Sequence, residues 1–96
     1  MVYVDPLCNH GWRLGPSCHM YADTLEELHA FAARIGLKRQ WFQDKRLPHY
    51  DLTARRRAAA VKLGAIEHSR FEAVTLWRER GWSVWSARRP VNQEKT

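Results

Sequence analysis

The stretch SCHMYADTLEELHAFAARIG, residues 17–36, joins a strand pattern directly to a helix pattern. Apolar and polar side chains alternate over residues 17–22, which predicts a β-strand. The core face of that strand would carry Cys18, Met20 and Ala22, and the other face His19 and Tyr21. Asp23 or Thr24 can then cap a helix, because each has a glutamate three positions later. Gly36 ends this helix, since glycine adopts the left-handed conformation without a Cβ clash.

Further elements follow on both sides of this unit. We predict strands at Val2–Val4, at 39–43 and at 82–85, a polar loop at 44–50, and helices at 53–63 and from Ser69 to Gly81. The second helix would be capped by Asp51 or Thr53, and the third begins with a capping box at Ser69. The predicted core stripes of the three helices are Leu25, Leu28, Phe31, Ala32 and Ile35; Ala54, Ala58, Val61 and Ala65; and Phe71, Val74 and Trp77.

These elements predict an α/β or α+β fold, with three helices packed on a short sheet of three or four strands. The chain has 96 residues, 45% of them apolar and 27% charged, which fits one domain with a small core. We expect the domain to span residues 1–87 and residues 88–96 to form a flexible tail with little to bury. No apolar run could span a bilayer and no signal peptide is recognisable, so we expect a cytoplasmic protein that does not act at a membrane.

Charge is distributed unevenly along this basic chain. The net charge of +6 divides into −2 over residues 1–37 and +8 over residues 38–96. A basic half of this kind attracts phosphate, nucleic acid or an acidic protein surface, although a solvated charged face is the equally simple alternative.

Two cysteines, Cys8 and Cys18, are expected to be reduced in the cytoplasm. Together with His10 and His19 they have the residue types of a zinc site. Neighbouring residues on a strand point to opposite faces, however, so Cys18 and His19 would not share one metal ion. The spacing therefore disfavours a structural zinc site.

The first candidate site lies around His49 and Asp51. In an extended segment these two side chains project from the same side, so both can reach one proton or one metal ion. Arg55, Arg56 and Arg57 follow in the first turn of a helix, where the macrodipole favours negative charge. A bound phosphate would offset that unfavourable placement, whereas arginines that fan out into water are the alternative explanation.

The second candidate group is Asp5, His10 and His19. If the first two strands are neighbours, Asp5 and His19 would converge with His49 and Asp51 into an acid/base or divalent-metal cluster. His29 and His68 are interpreted as structural or solvated.

Aromatic residues supply a further pattern. The chain has five tryptophans, of which Trp12 in a loop and Trp41 beside Gln43 are candidates to stack on a nucleic-acid base. Packing is the more common role of such residues, and Trp77, Trp82 and Trp85 are expected to fix the third helix to the sheet. The chain contains no Walker loop, GxGxxG, HExxH, paired CxxC or GxSxG motif, which disfavours the common nucleotide hydrolases, dehydrogenases, zinc proteases and esterases.

Several segments in order resemble a family of short bacterial and phage proteins known as domain of unknown function 4031. They are HMYADTLEELH at 19–29, IGL at 35–37, WFQ at 41–43, HYDL at 49–52, RAAAV at 57–61 and GA at 64–65. The resemblance covers residues 1–67 and implies a compact cytoplasmic protein, without supplying a reaction. It draws attention to Asp5, His19, Asp23, Trp41, Gln43, His49, Tyr50 and Asp51. Residues 68–96 lie beyond it.

The leading hypothesis is that the protein recognises a phosphate-containing ligand, a nucleotide or nucleic acid, and in one version hydrolyses it. His49 would be the general base or a metal ligand, Asp51 its partner or the helix cap, and His19 a second acid or base. Arg55 to Arg57 would hold the anion, with Asp5, Trp41, Gln43 and Tyr50 as further ligand contacts. The alternatives are a nucleic-acid-binding module and a phage-type inhibitor that acts on a protein partner through its tryptophan-rich end. A domain this small with exposed aromatic residues is also a candidate homodimer.

Overall fold

Four strands and three helices build the described part of the chain. The structure, a computed structural model, describes residues 1–9 and 11–81. In chain order the elements are β1 (Val2–Val4), β2 (Ser17–Ala22), α1 (Leu25–Arg34), a 3₁₀ turn (Arg39–Trp41), β3 (Tyr50–Thr53), α2 (Ala54–Lys62), β4 (Ile66–Glu67) and α3 (Arg70–Glu79). This confirms the small domain with three helices on a short sheet. The strand predicted at 82–85 and the tail predicted at 88–96 lie outside the described residues.

The strands form one mixed sheet in the order β3-β2-β1-β4. β2 is antiparallel to both of its neighbours, and β4 is parallel to β1. Met20 of β2 lies opposite Val4 on one side and Tyr50 on the other, whereas the adjacent His19 lies opposite Asp51. Because side chains alternate between faces, His19 and Asp51 share one face of the sheet and Met20 and Tyr50 the other.

Both faces of the sheet are covered. One core contains Val4, Cys18, Met20 and Leu52 from the strands and is closed by Leu28 and Ala32 of α1 and Ala60 of α2. The second core contains Tyr21, Leu47, Ala73 and Trp77 and lies beneath α3. The predicted alternation of β2 is therefore confirmed, with the addition that Tyr21 on the second face is fully buried.

The helix starts follow the capping signals. The side chain of Thr24 accepts a hydrogen bond from the backbone of Glu27, and that of Thr53 accepts one from Arg56. Of the alternatives left open by the sequence, Thr24 and Thr53 are the caps, and Asp23 and Asp51 remain available for other contacts. The capping box at Ser69 is present. No helix in residues 1–9 and 11–81 is long and apolar enough to cross a bilayer.

The strand predicted at 39–43 is wrong. The backbone N–H of Trp41 donates to Lys38 at 2.9 Å and that of Phe42 to Arg39 at 3.1 Å, which closes a 3₁₀ turn. Only Gln43 pairs with another segment, through an isolated bridge to His49. The polar loop predicted at 44–50 also needs correction, because Leu47 is buried and Tyr50 begins β3.

Some predicted core positions of the helices are exposed. At about 100° per residue, Ala58 lies roughly opposite Ala60, and Phe71 roughly opposite Ala73. Burial of Ala60 and Ala73 therefore turns Ala58 and Phe71 toward solvent, and Phe71 is 80% exposed. Ala54 and Leu25 in the first turns of α2 and α1 are exposed as well.

Candidate functional site

Three side chains, His19, His49 and Asp51, meet on the sheet face that α3 partly covers. One nitrogen or oxygen atom from each lies within 4.8 Å of the others. The two imidazole rings are 4.9 Å apart between centroids, and Nε2 of His49 is 3.3 Å from Oδ1 of Asp51. We call these three residues the histidine–aspartate cluster.

Strand register brings the cluster together. Asp51 lies directly opposite His19 in the β2-β3 pair, and His49 precedes Asp51 by two positions, so that it projects from the same side. The bridge between Gln43 and His49 holds the segment before β3 extended. Asp5 follows β1 on the other side of β2, where its backbone N–H donates to the carbonyl of His19 at 3.2 Å. The convergence predicted for neighbouring strands is therefore present.

A second set of contacts fixes each member of the cluster. Nδ1 of His19 donates to Oδ2 of Asp5 at 2.8 Å, and the backbone N–H of His19 donates to Oδ1 of the same carboxylate at 2.6 Å. Nδ1 of His49 donates to the carbonyl of Leu47 at 2.5 Å. The amide of Gln43 donates to Oδ2 of Asp51 at 2.7 Å. These bonds set the orientation of both rings and of the carboxylate.

His19 holds its proton more strongly than an ordinary histidine. Burial by itself lowers its pKa, but the hydrogen bond to Asp5 and the negative charges of Asp5 and Asp51 outweigh burial and raise the pKa above its usual value. The edge of Trp77 lies against the His19 ring, with centroids 5.8 Å apart. The imidazole is thus held between a carboxylate and an apolar wall.

The cysteines do not join this cluster. Cys18 points to the opposite face of the sheet, where burial and the charge of Asp5 raise the pKa of its thiol to about 12. Because its side chain lies on the face away from His19, His49 and Asp51, Cys18 does not share a metal ion with them. Cys8 is half-buried, and its sulfur accepts a hydrogen bond from Arg70 at 3.8 Å. His10, the remaining member of the predicted zinc set, lies outside the described residues.

A groove of about 1140 Å³ adjoins the cluster. Its walls come from the loop before β2, from the 3₁₀ turn and the segment after it, and from β3 and α2. The polar, charged and tryptophan side chains on its walls are Trp12, Gln40, Trp41, Gln43, Asp44, Lys45, Asp51, Thr53, Arg55 and Arg56. Asp51 belongs to both the cluster and the groove, and its side chain is 36% exposed against 11% for His49. A ligand in the groove would therefore contact the cluster through Asp51.

The three arginines of α2 have different surroundings. Arg55 is exposed and lines the groove. Arg56 also lines it, donates from Nη1 to the carbonyl of Ile35 at 2.6 Å, and lies 5.8 Å from the Trp41 ring. Arg57 points elsewhere, donating to the backbone carbonyl of Asp5 at 2.8 Å and to Glu67 at 3.1 Å. Arg57 thus ties α2 to the ends of β1 and β4.

Tyr50 does not join the cluster or the groove. It is buried in the first core, where its hydroxyl hydrogen-bonds Nδ1 of His29 at 2.8 Å. Asp23 lies at the far end of β2 and contacts Tyr3, Arg80 and the N-terminal amine. His68 stacks on Tyr3 and hydrogen-bonds Tyr21.

Two contacts of the histidine–aspartate cluster were not predicted from the sequence. The carbonyl of Leu47 orients His49, and a backbone carbonyl carries no residue-type signal. Trp77 of α3 packs against Tyr21 of the sheet, as predicted, but its contact with His19 depends on the placement of α3. Trp82 and Trp85 lie outside the described residues, as does most of the tryptophan-rich end proposed as a protein interface.

The chain belongs to the family described as Protein of unknown function (DUF4031), whose model matches residues 2–80. The match continues past residue 67, where the resemblance noted in the sequence stops, and takes in α3 with Trp77. It also includes the whole cluster and the residues that line the groove. No curated protein and no solved structure matches the chain.

Proposed function

We propose that this DUF4031 protein binds a phosphate-containing ligand, a nucleotide or a segment of nucleic acid, in the groove and hydrolyses it at the histidine–aspartate cluster. The observation that carries the proposal is the position of Asp51. This carboxylate is part of the cluster, and it also lines a groove that contains arginine and tryptophan side chains. A binding surface and a set of chemically competent groups therefore share one residue.

The lining of the groove supports the choice of ligand class. Arg55 and Lys45 offer exposed cations, and arginine binds phosphate oxygens in a bidentate geometry. Trp41 lines the groove and is 44% exposed, and aromatic rings of this kind hold nucleobases by stacking. Lys38 lies 5.6 Å from the same ring, which adds positive charge beside the stacking surface.

The start of α2 adds to the anion-binding character. Thr53, the cap of this helix, lines the groove, so the positive end of the helix dipole faces a bound ligand. Backbone N–H groups at a helix start favour phosphate. The absence of acidic residues from the first turn of α2 keeps this end positive.

The cluster supports hydrolysis as the reaction class. Histidine and aspartate side chains within hydrogen-bond distance of each other can move a proton from water or ligate a metal that activates water. Water would supply the oxygen that bonds to phosphorus, and the bond from phosphorus to the leaving oxygen would break. A cytoplasmic location is part of this proposal, and it is supported by the free thiols Cys8 and Cys18, which are typical of a reducing compartment.

A thermal-shift panel of mononucleotides, cyclic nucleotides, dinucleotides and short oligonucleotides tests the binding step. A ligand that binds only the folded chain stabilises it by about 2.7 kcal/mol when the ligand concentration is 100 times its Kd. This stabilisation raises the melting temperature. We expect a shift with at least one phosphate compound. Arg55→Gln should weaken binding tenfold or more, while the charge-matched control Lys62→Gln on exposed α2 surface should not. A panel without any shift would overturn the proposal and favour a role by protein contact.

Turnover is measured on the compound that binds best, by the release of inorganic phosphate or the appearance of a cleaved product. We expect Asp51→Asn to abolish turnover while thermal shift with the same compound persists. The salt dependence of binding separates nucleic acid from a single nucleotide. The logarithm of the binding constant falls with the logarithm of salt concentration, and each phosphate contact of nucleic acid makes that slope steeper. Tight binding without turnover, also with divalent metal added, would refute hydrolysis and leave recognition alone.

A further inference from the structure

We propose that His19, His49 and Asp51 form a binding site for one divalent transition-metal ion of the zinc class. Metal binding as such does not depend on the phosphate ligand proposed above. Only the use of the metal in hydrolysis rests on that proposed function.

The spacing of the donor atoms supports an ion in this position. A tetrahedral ion with bonds of about 2.05 Å keeps neighbouring donors about 3.3 Å apart. Nε2 of His49 and Oδ1 of Asp51 are 3.3 Å apart. All three donors lie within 4.8 Å of one another, so His19 has to approach by at most about 1.5 Å to complete such a set.

The hydrogen bonds of the two histidines supply an independent observation. The Leu47 carbonyl can only accept, so Nδ1 of His49 carries a proton and Nε2 is the ring nitrogen left for a metal ion. Nε2 lies 3.3 Å from Oδ1 of Asp51, a carboxylate oxygen that accepts hydrogen bonds. At this distance the two atoms can share a cation, either a proton or a metal ion.

Nδ1 of His19 is bonded to Asp5 in the same manner, which assigns Nε2 as its ligating atom. Carboxylate and carbonyl partners on the far nitrogens of histidines are the arrangement that surrounds protein metal sites. Gln43 completes this outer set by holding Oδ2 of Asp51. Each of the three ligands is therefore oriented by a partner that would not touch the ion.

The donor types determine the class of metal. Two imidazoles and one carboxylate suit zinc and neighbouring transition metals, whereas Mg²⁺ and Ca²⁺ take oxygen donors. Three protein ligands also leave at least one coordination position for water or substrate, as in catalytic rather than structural sites. Because Asp51 lines the groove, that position would lie near a bound ligand.

The test uses the untagged 96-residue chain, stripped of metal with a chelator, and titrates it with Zn²⁺ alone by calorimetry. We expect one Zn²⁺ per chain with a Kd in the micromolar range or below. Asp51→Asn preserves the shape of the side chain and should weaken binding at least tenfold, and His49→Ala should do the same or more. Asp5→Asn should weaken it about 10–100-fold, the usual effect of removing an outer partner. His29→Gln, a histidine outside the cluster, should bind as the parent does.

Circular dichroism of each variant checks that it folds. If His49→Ala does not fold, Asp51→Asn still decides the test. The visible spectrum with Co²⁺ identifies the donors, since a thiolate charge-transfer band would assign the ion to a cysteine and overturn the proposal. Binding that is unchanged in Asp51→Asn and His49→Ala, or no binding at millimolar Zn²⁺, would also overturn it. Arg55→Gln should retain Zn²⁺ binding, so a failure of the ligand proposal is distinguishable from a failure of the metal site.

Discussion

Asp5 is predicted to stabilise the fold through His19, and Asp5→Asn measures this contribution. The carboxylate accepts two hydrogen bonds from His19, one from the backbone and one from the ring, and the residue is only 8% exposed. Hydrogen bonds to charged groups contribute about 1.5–3 kcal/mol, and neutral ones about 0.5–1.5 kcal/mol. Asp5→Asn turns two hydrogen bonds to a charged group into two neutral ones. The free energy of unfolding in acidic solution should therefore fall by about 2–3 kcal/mol.

The cost of Asp5→Asn should depend on pH. The pKa of folded His19 is raised above its ordinary value of 6.5, so the charged interaction stabilises the fold fully below pH 6.5 and is lost as the pH rises through the folded pKa. Asp5→Asn removes that interaction. We expect the difference in unfolding free energy between parent and variant to be larger at pH 5.5 than at pH 9.

Urea unfolding of metal-free parent and variant at the two pH values gives these free energies. At about 4–8 °C per kcal/mol for a domain of this size, the acidic effect corresponds to a fall in melting temperature of about 10–20 °C. Asp44→Asn, an exposed carboxylate, is the control and should change stability by less than about 0.5 kcal/mol. An Asp5→Asn cost that is equal at both pH values, or larger at pH 9, would refute the role assigned to the His19 charge.

Three further predictions concern the stability of the fold. Trp77→Ala should lower the free energy of unfolding by about 3–5 kcal/mol, because it opens the core under α3. Phe71→Ala, on the exposed side of the same helix, should change it by no more than about 0.5 kcal/mol. Comparable losses in the two variants would contradict the assigned helix face. Tyr50→Phe should cost about 0.5–1.5 kcal/mol through loss of the bond to His29 and leave ligand affinity unchanged by calorimetry, and weaker binding would place Tyr50 at the site after all. Arg57→Met should lower stability by about 1–3 kcal/mol in urea, with nucleotide affinity retained, and a selective loss of affinity would instead assign Arg57 to the anion.

Local signals predicted much of the fold. Thr24, Thr53 and Ser69 cap helices close to the predicted positions, because a cap depends on residues three positions apart. The strand prediction at 39–43 failed because the apolar residues of this segment are typical of a strand. Its backbone instead closes a 3₁₀ turn that tertiary packing holds. Helix faces failed where alanines offered two equivalent stripes, and the sheet selected Ala60 rather than Ala58.

For the candidate site, the sequence by itself determined which side of each segment the polar groups occupy. Alternation placed His19 and Cys18 on opposite faces of β2, and a spacing of two residues placed His49 and Asp51 on the same side of their segment. Both relations depend only on backbone geometry. Only the tertiary structure decided that these groups meet. The β3-β2-β1 order and register align Asp51 with His19 and bring Asp5 beside His19, and pairing between distant segments depends on the packing of the whole sheet. The same packing turned Tyr50 into the core and Arg57 away from the groove, because neighbouring positions on a strand or helix face different surroundings once the domain is assembled.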